Sequence, residues 1–481
     1  MFSLYKALGM RFLFPLLFTM TCLPRCTPPS PPLSVPDFDA VSRIASGTPV
    51  SVMLTTYSTT LPVNGQTRLR IAIVDSLSRE ITSRTDPIQV YVTGKGKVTA
   101  PDGSDFAMLT DTAGIQYAVC QLKDGLCHLL FMAGTEPDKV KVEARSGTLW
   151  PGGHEIHTLA DFVMMKQKPE QLPRTTKPLD RMIGADISWL PQLEDRGNTF
   201  SEDSVGVDAM KLLHDHGFNY IRLRIFVNPE NEKGYAPEKG YCGLPYTLAM
   251  AKRVKDAGMR LLLDFHYSDY WADPQQQYKP LRWETLDFET LKDSVRTYTS
   301  KVLRALKAQG TSPAMVQIGN EINHGLLWPD GHIGNPDKLA GLLKAGVEGT
   351  KAVDPDIPIM MHIALGGQND ESVFWLDNML ARGVEFDIIG LSYYPRWHGT
   401  LEDLHFNMND LIKRYHKPIN IVEYSDFKRE VHDLVFSLPD DMGKGACIWE
   451  PLNRRSGLFT EKGEVTELMR VYDEVKEKYV H

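Results

Sequence analysis

The chain has 481 residues, and 42% of them are hydrophobic, enough to fill the core of a large α/β domain and of a smaller second domain. Its formal net charge is −8, and the acidic and basic residues are interspersed, which argues against nucleic acid as a partner. A neutral polymer fits this composition better, and a monomer is expected.

The N-terminal segment is typical of an export signal. Lys6 and Arg11 precede an apolar run at residues 12–20, which is shorter than the roughly 20 residues that a membrane span needs. We therefore expect residues 1–26 to direct the protein to the exterior or the outer cell surface. Cys22 follows a small residue, so membrane attachment through a lipid on Cys22, with residues 27–40 as a tether, is an open alternative.

The next segment, residues 41–166, predicts a small β-sandwich because short β-branched runs alternate with Gly, Pro, Asn and Asp turns. The clearest predicted strands are 69–74, 88–92 and 140–144. Residues 167–180 are rich in Pro, Lys and Thr without an apolar period, which predicts a linker.

The cysteines give limited information. Cys120 and Cys127 flank a turn-like segment that could bring two strands together and allow a disulfide. Cys447 is expected to be a buried free thiol. The sequence has no CxxC pair and no His-rich tract, so no metal is expected.

From residue 181 to 481, strand-like and helix-like segments alternate eight times, which predicts a (β/α)₈ barrel. An open doubly wound sheet is the alternative. No glycine-rich phosphate loop follows a strand, so no nucleotide cofactor is expected. The predicted strands are 182–186, 220–227, 260–266, 315–320, 358–364, 387–392, 418–423 and 445–449, and predicted helices include 205–216, 336–353, 371–383 and 401–415.

Two glutamates close predicted strands on which a barrel enzyme carries its active site. Glu321 ends strand four and Glu423 ends strand seven, and the C-terminal ends of the strands form the catalytic face. Hydrolysis of a glycosidic bond needs an acid to protonate the leaving oxygen and a carboxylate to meet the anomeric centre, about 5–5.5 Å apart in a retaining enzyme. We predict that Glu321 is the acid/base and Glu423 the nucleophile. Each glutamate singly could instead be an ion-pair partner for an arginine.

Other residues at the same edge are predicted to bind or orient the substrate. Asn320 is expected to hydrogen-bond the sugar 2-hydroxyl. Arg222 and Arg224 are expected to keep Glu423 ionised, because a nearby positive charge lowers a carboxylate pKa. The full set is Asp186, Arg222, Arg224, His266, Asp269, Trp271, Asn320, Asn323, Tyr393, Tyr394 and Trp449. A structural histidine at position 266 and a core aromatic at position 449 stay open.

Read in order, these segments resemble the endo-β-1,4-galactanase family of glycoside hydrolases, whose barrel has catalytic glutamates on strands four and seven. The resemblance spans about residues 181–479. The segment LLLDFHYSDYWADP, which contains most of strand three and the start of the following loop, is the most specific part. The segments that carry it are 184–188, 222–229, 261–274, 317–323, 391–395 and 449–451.

The resemblance implies internal cleavage of the β-1,4-galactan side chains of pectin with retention of configuration, in a curved cleft. The loop after Glu423, residues 424–429, is short where several bacterial relatives have a longer loop that holds calcium, so no calcium is predicted there. The sandwich lies outside the resemblance. A spacer, a surface platform and a weak glycan-binding module are all open for it.

Two other functions compete with this interpretation. The first is an endo-hydrolase of another β-linked glycan on the same barrel, such as an endoglucanase or a mannanase. The segment LLLDFHYSDYWADP argues against it. The second is a non-catalytic glycan-binding surface protein. The presence of both Glu321 and Glu423 argues against the second.

Overall fold

The computed structural model describes residues 37–161, 165, 172, 175, 177–453 and 456–480. The predicted export signal, most of the predicted tether and most of the predicted linker lie outside these residues. Across the described ranges, every helix is too short or too polar to cross a membrane.

Two six-stranded sheets form the N-terminal region after a short helix, Phe38–Ser42. The three clearest predicted strands are confirmed. The first sheet contains Arg43–Ile44, Ser51–Thr56, Gln66–Val74, Glu80–Ile81, Gly96–Thr99 and Leu126–Ala133. The second sheet contains Thr60–Pro62, Pro87–Thr93, Leu109–Thr110, Gln116–Gln121, Asp138–Arg145 and Gly152–Leu159.

The two sheets enclose one apolar core, which makes this region a β-sandwich. Leu54 and Ile71 from the first sheet pack with Val90 and Val142 from the second, and all four are fully buried. Alternate residues of each strand face this core, as the two-residue period of a strand requires.

Cys120 and Cys127 are buried in this region as free thiols. The two thiols, one before and one after the predicted turn, are hydrogen-bonded to each other. The turn therefore brings the two cysteines together as expected, but the structure contains no disulfide between them.

The C-terminal region is a closed eight-stranded parallel barrel, so the predicted fold class is confirmed and the open sheet is excluded. Each predicted strand is present, with ends displaced by at most two residues. The strands, one to eight, are Met182–Asp186, Tyr220–Ile225, Arg260–Phe265, Met315–Ile318, Ile359–Ile363, Ile388–Tyr393, Ile419–Tyr424 and Gly443–Trp449.

Helices surround the barrel and connect its strands. The α-helices are Leu190–Asp195, Ala209–Asp215, Leu244–Asp256, Phe288–Ala308, Pro336–Lys351, Asn369–Ala381, Pro395–His398, Leu401–Tyr415, Lys428–Phe436 and Arg470–Tyr479. The 3₁₀ helices are Leu281–Trp283, Ile322–His324, Pro439–Asp441 and Glu467–Met469. Two short hairpins pair Ser201–Glu202 with Val205–Gly206 and Gly325–Leu326 with Gly331–His332.

The helix predicted at 205–216 begins four residues later than expected. Val205–Gly206 pairs with Ser201–Glu202 in a hairpin, and the helix starts at Ala209. Asp208 caps it, because its carboxylate accepts hydrogen bonds from the Met210 and Lys211 backbone N–H groups. The capping residue therefore fixes the start that the apolar spacing alone placed too early.

Each barrel strand contributes one side chain to an apolar layer inside the barrel. This layer consists of Met182, Tyr220, Leu262, Met315, Met360, Ile388, Val422 and Cys447. The inward positions two residues further along several strands are polar, for example Arg222, Asp264, Gln317 and His362. Since inward positions recur every second residue, polarity in the barrel interior is concentrated toward the C-terminal ends of the strands.

The sandwich is joined to the barrel by a buried carboxylate. Glu371 on the barrel accepts hydrogen bonds from Thr59 N–H at 2.5 Å and from the Thr60 hydroxyl at 2.7 Å. The Thr59 hydroxyl also contacts His324 Nε2 at 2.9 Å, and the His324 ring stacks on His157 of the sandwich at 3.9 Å. These contacts fix the sandwich against the turn that follows barrel strand four.

We predict that Glu371→Ala lowers the free energy of unfolding by about 3 kcal/mol, because it leaves the buried Thr59 and Thr60 donors unsatisfied. Urea denaturation measures this loss. The control is Glu385→Ala, which removes an exposed ion pair with Lys351 and should change stability by about 0.5 kcal/mol or less. Equal losses in the two variants would contradict the proposed importance of the buried contact.

Candidate active site

Arg222, on barrel strand two, is the centre of the polar layer. Its guanidinium is buried, and each of its five N–H groups has an acceptor available on another barrel strand or on the turn after one. These acceptors are Asp186 Oδ2 at 3.0 Å, Glu423 Oε2 at 2.9 Å, Asp264 Oδ2 at 2.9 Å, Asn320 Oδ1 at 2.7 Å and Gln317 Oε1 at 3.2 Å.

Glu423 is held by two donors at the end of strand seven. Arg222 donates to its Oε2, and the Tyr394 hydroxyl donates to its Oε1 at 2.8 Å. Burial raises the pKa of Glu423 above its ordinary value, and both Arg222 and Tyr394 act in the opposite direction. Arg222 therefore stabilises the ionised form as expected, although its charge does not cancel the effect of burial. Arg222 and Tyr394 both donate hydrogen bonds to Glu423, and such donors pair better with an ionised carboxylate than with a carboxylic acid.

Glu321 lies on a turn in an unusual backbone conformation just after strand four. Gly319 has φ +82°, and a Cβ at that position would lie 2.6 Å from the Ile322 side chain, so glycine is required there. Glu321 itself has φ +49°, which is rare for a non-glycine residue and characteristic of functional sites. The turn brings the Glu321 carboxyl group into the same cavity as Glu423.

The surroundings of Glu321 favour its protonated form. Burial and then the negative charge of Glu423 raise the pKa of Glu321 well above its ordinary value. Ser392 donates to Glu321 Oε1 at 2.6 Å, and the Ser392 oxygen lies 2.8 Å from His362 Nε2. Burial, reinforced by Arg222, lowers the pKa of His362 well below its ordinary value, so this imidazole is neutral. Because the Ser392 proton is directed to Glu321, the His362 Nε2 carries a proton that it donates to Ser392.

Arg224 does not contact Glu423, which corrects the sequence-based prediction. Its guanidinium instead donates to Glu450 Oε1 at 2.6 Å and lies 3.4 Å from Asp186. Arg224 is two residues beyond Arg222 on the same strand, so it lies one layer closer to the mouth of the barrel, where Glu450 follows strand eight. Burial raises the pKa of Glu450 to about 8, against the effect of Arg224.

Aromatic rings from the loops after strands one and three and from the end of strand eight cluster around Arg224. Its guanidinium lies 4.4 Å from the centre of the Trp271 ring. Trp189 packs edge-on against Trp449 at 5.1 Å and against Trp271 at 6.4 Å. Trp271 and Trp449 line the catalytic cavity together with His266. Such rings offer apolar faces to the C–H groups of a sugar.

Asn320 and Asn323 occupy different places around the glutamates. Asn320 Nδ2 donates one proton to the Ala272 carbonyl at 2.9 Å, which leaves its second N–H for a sugar hydroxyl. Asn320 lines a small cavity, of about 160 Å³, that also contains both glutamates. Asn323 lines a larger cavity, of about 660 Å³, in which the same glutamates also take part.

Asp269 and Tyr393 support loops outside both of these cavities. Asp269 accepts hydrogen bonds from the backbone N–H groups of Asn228 and Leu281, so it fastens the loop after strand two to the loop after strand three. Tyr393 is fully buried, and its hydroxyl donates to the Gly399 carbonyl at 3.3 Å. His266 has a supporting contact too, since its Nδ1 accepts from the Ala272 N–H.

The prediction from the sequence omitted several members of the network. Asp264 and Glu450 close strands three and eight, and the same strand-end signal that identified Glu321 could have found them. His362 is the one polar residue in the apolar strand IMMHI, which was a usable signal. Ser392 and Gln317 had no such signal, because their importance comes from contacts with neighbouring strands.

No group of three or more His, Cys, Asp or Glu side chains within the described ranges has a geometry suited to a metal ion. The expectation that catalysis needs neither a metal nor another cofactor stays a prediction.

The fold and the site together define a class of enzyme. Two glutamates with opposite hydrogen-bonding environments, at the C-terminal ends of strands four and seven of a (β/α)₈ barrel, are the machinery of a glycoside hydrolase. Residues 182–477 match the sequence model described as Glycosyl hydrolase family 53, and this match covers more than half of the chain. The chain belongs to that family and is a glycoside hydrolase.

Individual relatives agree with this assignment. The chain is 47% identical over 251 residues to a Niallia circulans protein named "Uncharacterized protein in bgaB 5'region". The aligned residues are 50% of this chain and 66%, just under two thirds, of that protein. It is 37% identical over 268 residues to the arabinogalactan endo-β-1,4-galactanase A of Emericella nidulans, which covers 54% of this chain and 74% of that one. The solved structure of the Ignisphaera aggregans GH53 catalytic domain is similar with a TM-score of 0.58 and 30% identity, over 65% of this chain and 99% of that domain.

We predict that Tyr394→Phe moves the acidic limb of the pH profile of kcat/KM upward by about one unit. The tyrosine hydroxyl stabilises ionised Glu423, so its loss raises the Glu423 pKa, and the nucleophile becomes protonated at a higher pH. Initial rates across pH, on the polysaccharide that the enzyme cleaves, measure this shift.

The control is Tyr393→Phe, which removes the hydroxyl of the neighbouring tyrosine, bonded to a backbone carbonyl instead of a carboxylate. Its acidic limb should coincide with that of the unmodified protein. Coincident limbs for Tyr394→Phe and Tyr393→Phe would show that Tyr394 does not stabilise the ionised nucleophile.

Proposed function

We propose that this protein is a retaining endo-β-1,4-galactanase that cleaves internal bonds in the galactan side chains of pectin. The observation that carries the proposal is the difference between the two glutamates. Glu423 faces an arginine and a tyrosine hydroxyl, whereas Glu321 is buried beside the negative charge of Glu423. One proton shared by this pair therefore resides on Glu321.

In the first step, ionised Glu423 attacks the anomeric carbon of the bound galactose. The bond from that carbon to the leaving oxygen breaks, and its electron pair stays on the leaving oxygen, which takes the proton of Glu321. The second N–H of Asn320 binds the 2-hydroxyl, a contact that strengthens as positive charge develops on the ring. A galactosyl ester on Glu423 results.

In the second step, Glu321 acts as a base because it has lost its proton. It takes a proton from a water molecule, whose oxygen attacks the anomeric carbon, and the ester bond to Glu423 breaks. Two displacements at one carbon give net retention of configuration.

Galactan is the proposed substrate because of the family and because of the named activity of relatives. The Emericella nidulans relative carries the name arabinogalactan endo-β-1,4-galactanase A. The segment of this chain from Asp264 to Pro274 supplies His266, Trp271 and Asp273 to the catalytic cavity. Two cavities that share the glutamates and carry aromatic rings in their linings suit internal cleavage of a chain.

Export is part of the proposal and rests on the N-terminal sequence. Two basic residues precede the apolar run at residues 12–20, the pattern of a secretion signal. A polysaccharide substrate is too large to enter a cell intact, which makes an extracellular location consistent with the proposed activity. Cell fractionation of the unmodified protein and of Cys22→Ala distinguishes a released protein from one anchored by a lipid.

We predict that Glu321→Ala and Glu423→Ala each lower kcat on β-1,4-galactan by about 10³-fold or more, because each removes a group that reacts directly. Reducing-sugar release measures the rate. The control is Glu402→Ala, an exposed glutamate of helix Leu401–Tyr415, which should retain activity within about twofold. Proton NMR of the first product should show the β anomer, as retention requires.

Three results would contradict the proposal in different ways. Full activity of either glutamate variant would remove the catalytic assignment. An α anomer as the first product would show inversion. Cleavage of cellulose or mannan in place of galactan would leave the barrel and the glutamates but change the substrate.

A further inference from the structure

Glu321 and Glu423 line two cavities at once. The small cavity, of about 160 Å³, is comparable to one sugar unit and contains Asn320 and Arg222. Glu321 and Glu423 also line the large cavity, of about 660 Å³. The large cavity therefore has room for further units of a sugar chain that reaches the glutamates.

The sandwich forms one wall of the large cavity. Its contributions are the start of strand Ser51–Thr56 with the preceding Val50, the turn 74–78, and residues 153–155 of strand Gly152–Leu159. The barrel forms the rest of the lining, with Tyr394 and Trp397 among other residues. Polar groups of the sandwich, including Ser76 and Ser78, are thus exposed to the same space as the reacting carboxylates.

The part of the lining that the barrel contributes has features of a sugar-binding surface. The Trp397 side chain is 40% exposed although it lines the cavity, and an exposed indole ring is the usual platform for a sugar face. Arg396 beside it has no carboxylate partner within the described part of the chain, and its buried Nε has no hydrogen-bond acceptor there. Burial lowers the pKa of Arg396. A buried donor without a partner calls for a ligand or a water molecule.

The sandwich wall is held in place by contacts close to the cavity. Arg396 donates to the Pro151 carbonyl of the sandwich. Lys139 Nζ donates to the Gln275 carbonyl at 3.1 Å, on the barrel loop after strand three. Glu371 joins the two regions at the back of the cavity through Thr59. A wall fixed in this way can position a ligand, because its atoms do not have to be ordered when the ligand binds.

We infer that the N-terminal β-sandwich is part of the substrate cleft and that its turn 74–78 contacts the galactan chain beyond the sugar that is attacked. The inference rests on the proposed function and goes beyond it, since the family match begins at residue 182. Hydroxyl groups at Ser76 and Ser78 and the backbone of the turn face sugar hydroxyls. Chain-length preference is thus set partly by a domain that the catalytic family does not include.

Two turns of the sandwich provide a matched test. Asp75 accepts hydrogen bonds from the N–H groups of Leu77 and Arg79, so it closes a turn in which Ser76 is exposed. Asp111 closes a turn of the same form through Ala113 and Ile115, with Thr112 exposed at the equivalent position. Ser76 lines the cavity and Thr112 does not. Ser76→Trp and Thr112→Trp therefore impose the same local change, but only the first places a bulky ring in the cleft.

The experiment measures kcat and KM of the full-length protein and both variants on galactan and on galacto-oligosaccharides of increasing length. We expect Ser76→Trp to raise KM for galactan about tenfold, equivalent to the loss of one or two hydrogen bonds. The effect should be absent for the shortest oligosaccharide cleaved and grow with length, and product lengths should change. Thr112→Trp should match the unmodified protein. A lower KM for Ser76→Trp alone, from stacking of the new ring on a sugar, would also support the contact.

Calorimetry gives a second readout that does not depend on turnover. In the Glu423→Gln background, Ser76→Trp should weaken binding of long galacto-oligosaccharides relative to Thr112→Trp. The inference is overturned if the two tryptophan variants agree within twofold for every chain length in both measurements. If the unmodified protein cleaves another β-glycan instead of galactan, the proposed function fails, and the same comparison on that glycan still decides the role of the sandwich.

Discussion

The arrangement of the site depends on the burial of one guanidinium group, that of Arg222. A buried cation is tolerated only when all its donors are paired, and the five donors of an arginine radiate in a fixed plane. Arg222 satisfies them with groups from strands one, three and seven and from the end of strand four. Closure of the barrel brings these groups together around Arg222. The barrel therefore stabilises the buried guanidinium, and the hydrogen bonds of the guanidinium in turn hold the strands together. A lysine, with three donors on a flexible stem, could not hold all of these groups in register.

The opposite roles of the two glutamates follow from this arginine. Glu423 lies within reach of Arg222 and so receives a donor to its ionised form, whereas Glu321 is on the far side of Asn320, which uses its oxygen on the same guanidinium. Glu321 receives one hydroxyl donor, from Ser392, and the repulsion of Glu423. The proposed acid and the proposed nucleophile are therefore distinguished by their neighbours and not by their own chemistry, which is identical.

The sequence was sufficient for the features that depend on local pattern. Parallel barrel strands are rich in apolar residues and end in polar ones, so their positions and the C-terminal ends that carry Glu321 and Glu423 could be predicted. The partner of Arg224 could not, because which carboxylate it meets depends on the layer of the barrel that its side chain occupies. The start of the helix at Ala209 was misplaced because Val205 continues an apolar spacing that the capping Asp208 interrupts. Thr59 and Glu371 are 312 positions apart, so no local sequence pattern predicts the hydrogen bonds between them.

The sandwich contacts two barrel loops that carry residues of the candidate active site, so the same contacts affect both stability and catalysis. The turn after strand four carries Glu321 and continues into His324, which stacks on His157 of the sandwich. The segment after strand six carries Tyr394, a donor to the nucleophile, and continues into helix Pro395–His398, where Arg396 donates to the sandwich backbone. Glu321 and Tyr394, the donor to Glu423, thus lie within a few residues of segments that the sandwich contacts.

Loops after barrel strands are the most mobile parts of this fold, and a site must be held to within a fraction of an ångström to act. A domain fixed against two of these loops removes part of that mobility. In the proposed function the same domain also encloses the substrate, so its stabilising role and its proposed binding role arise from the same contacts.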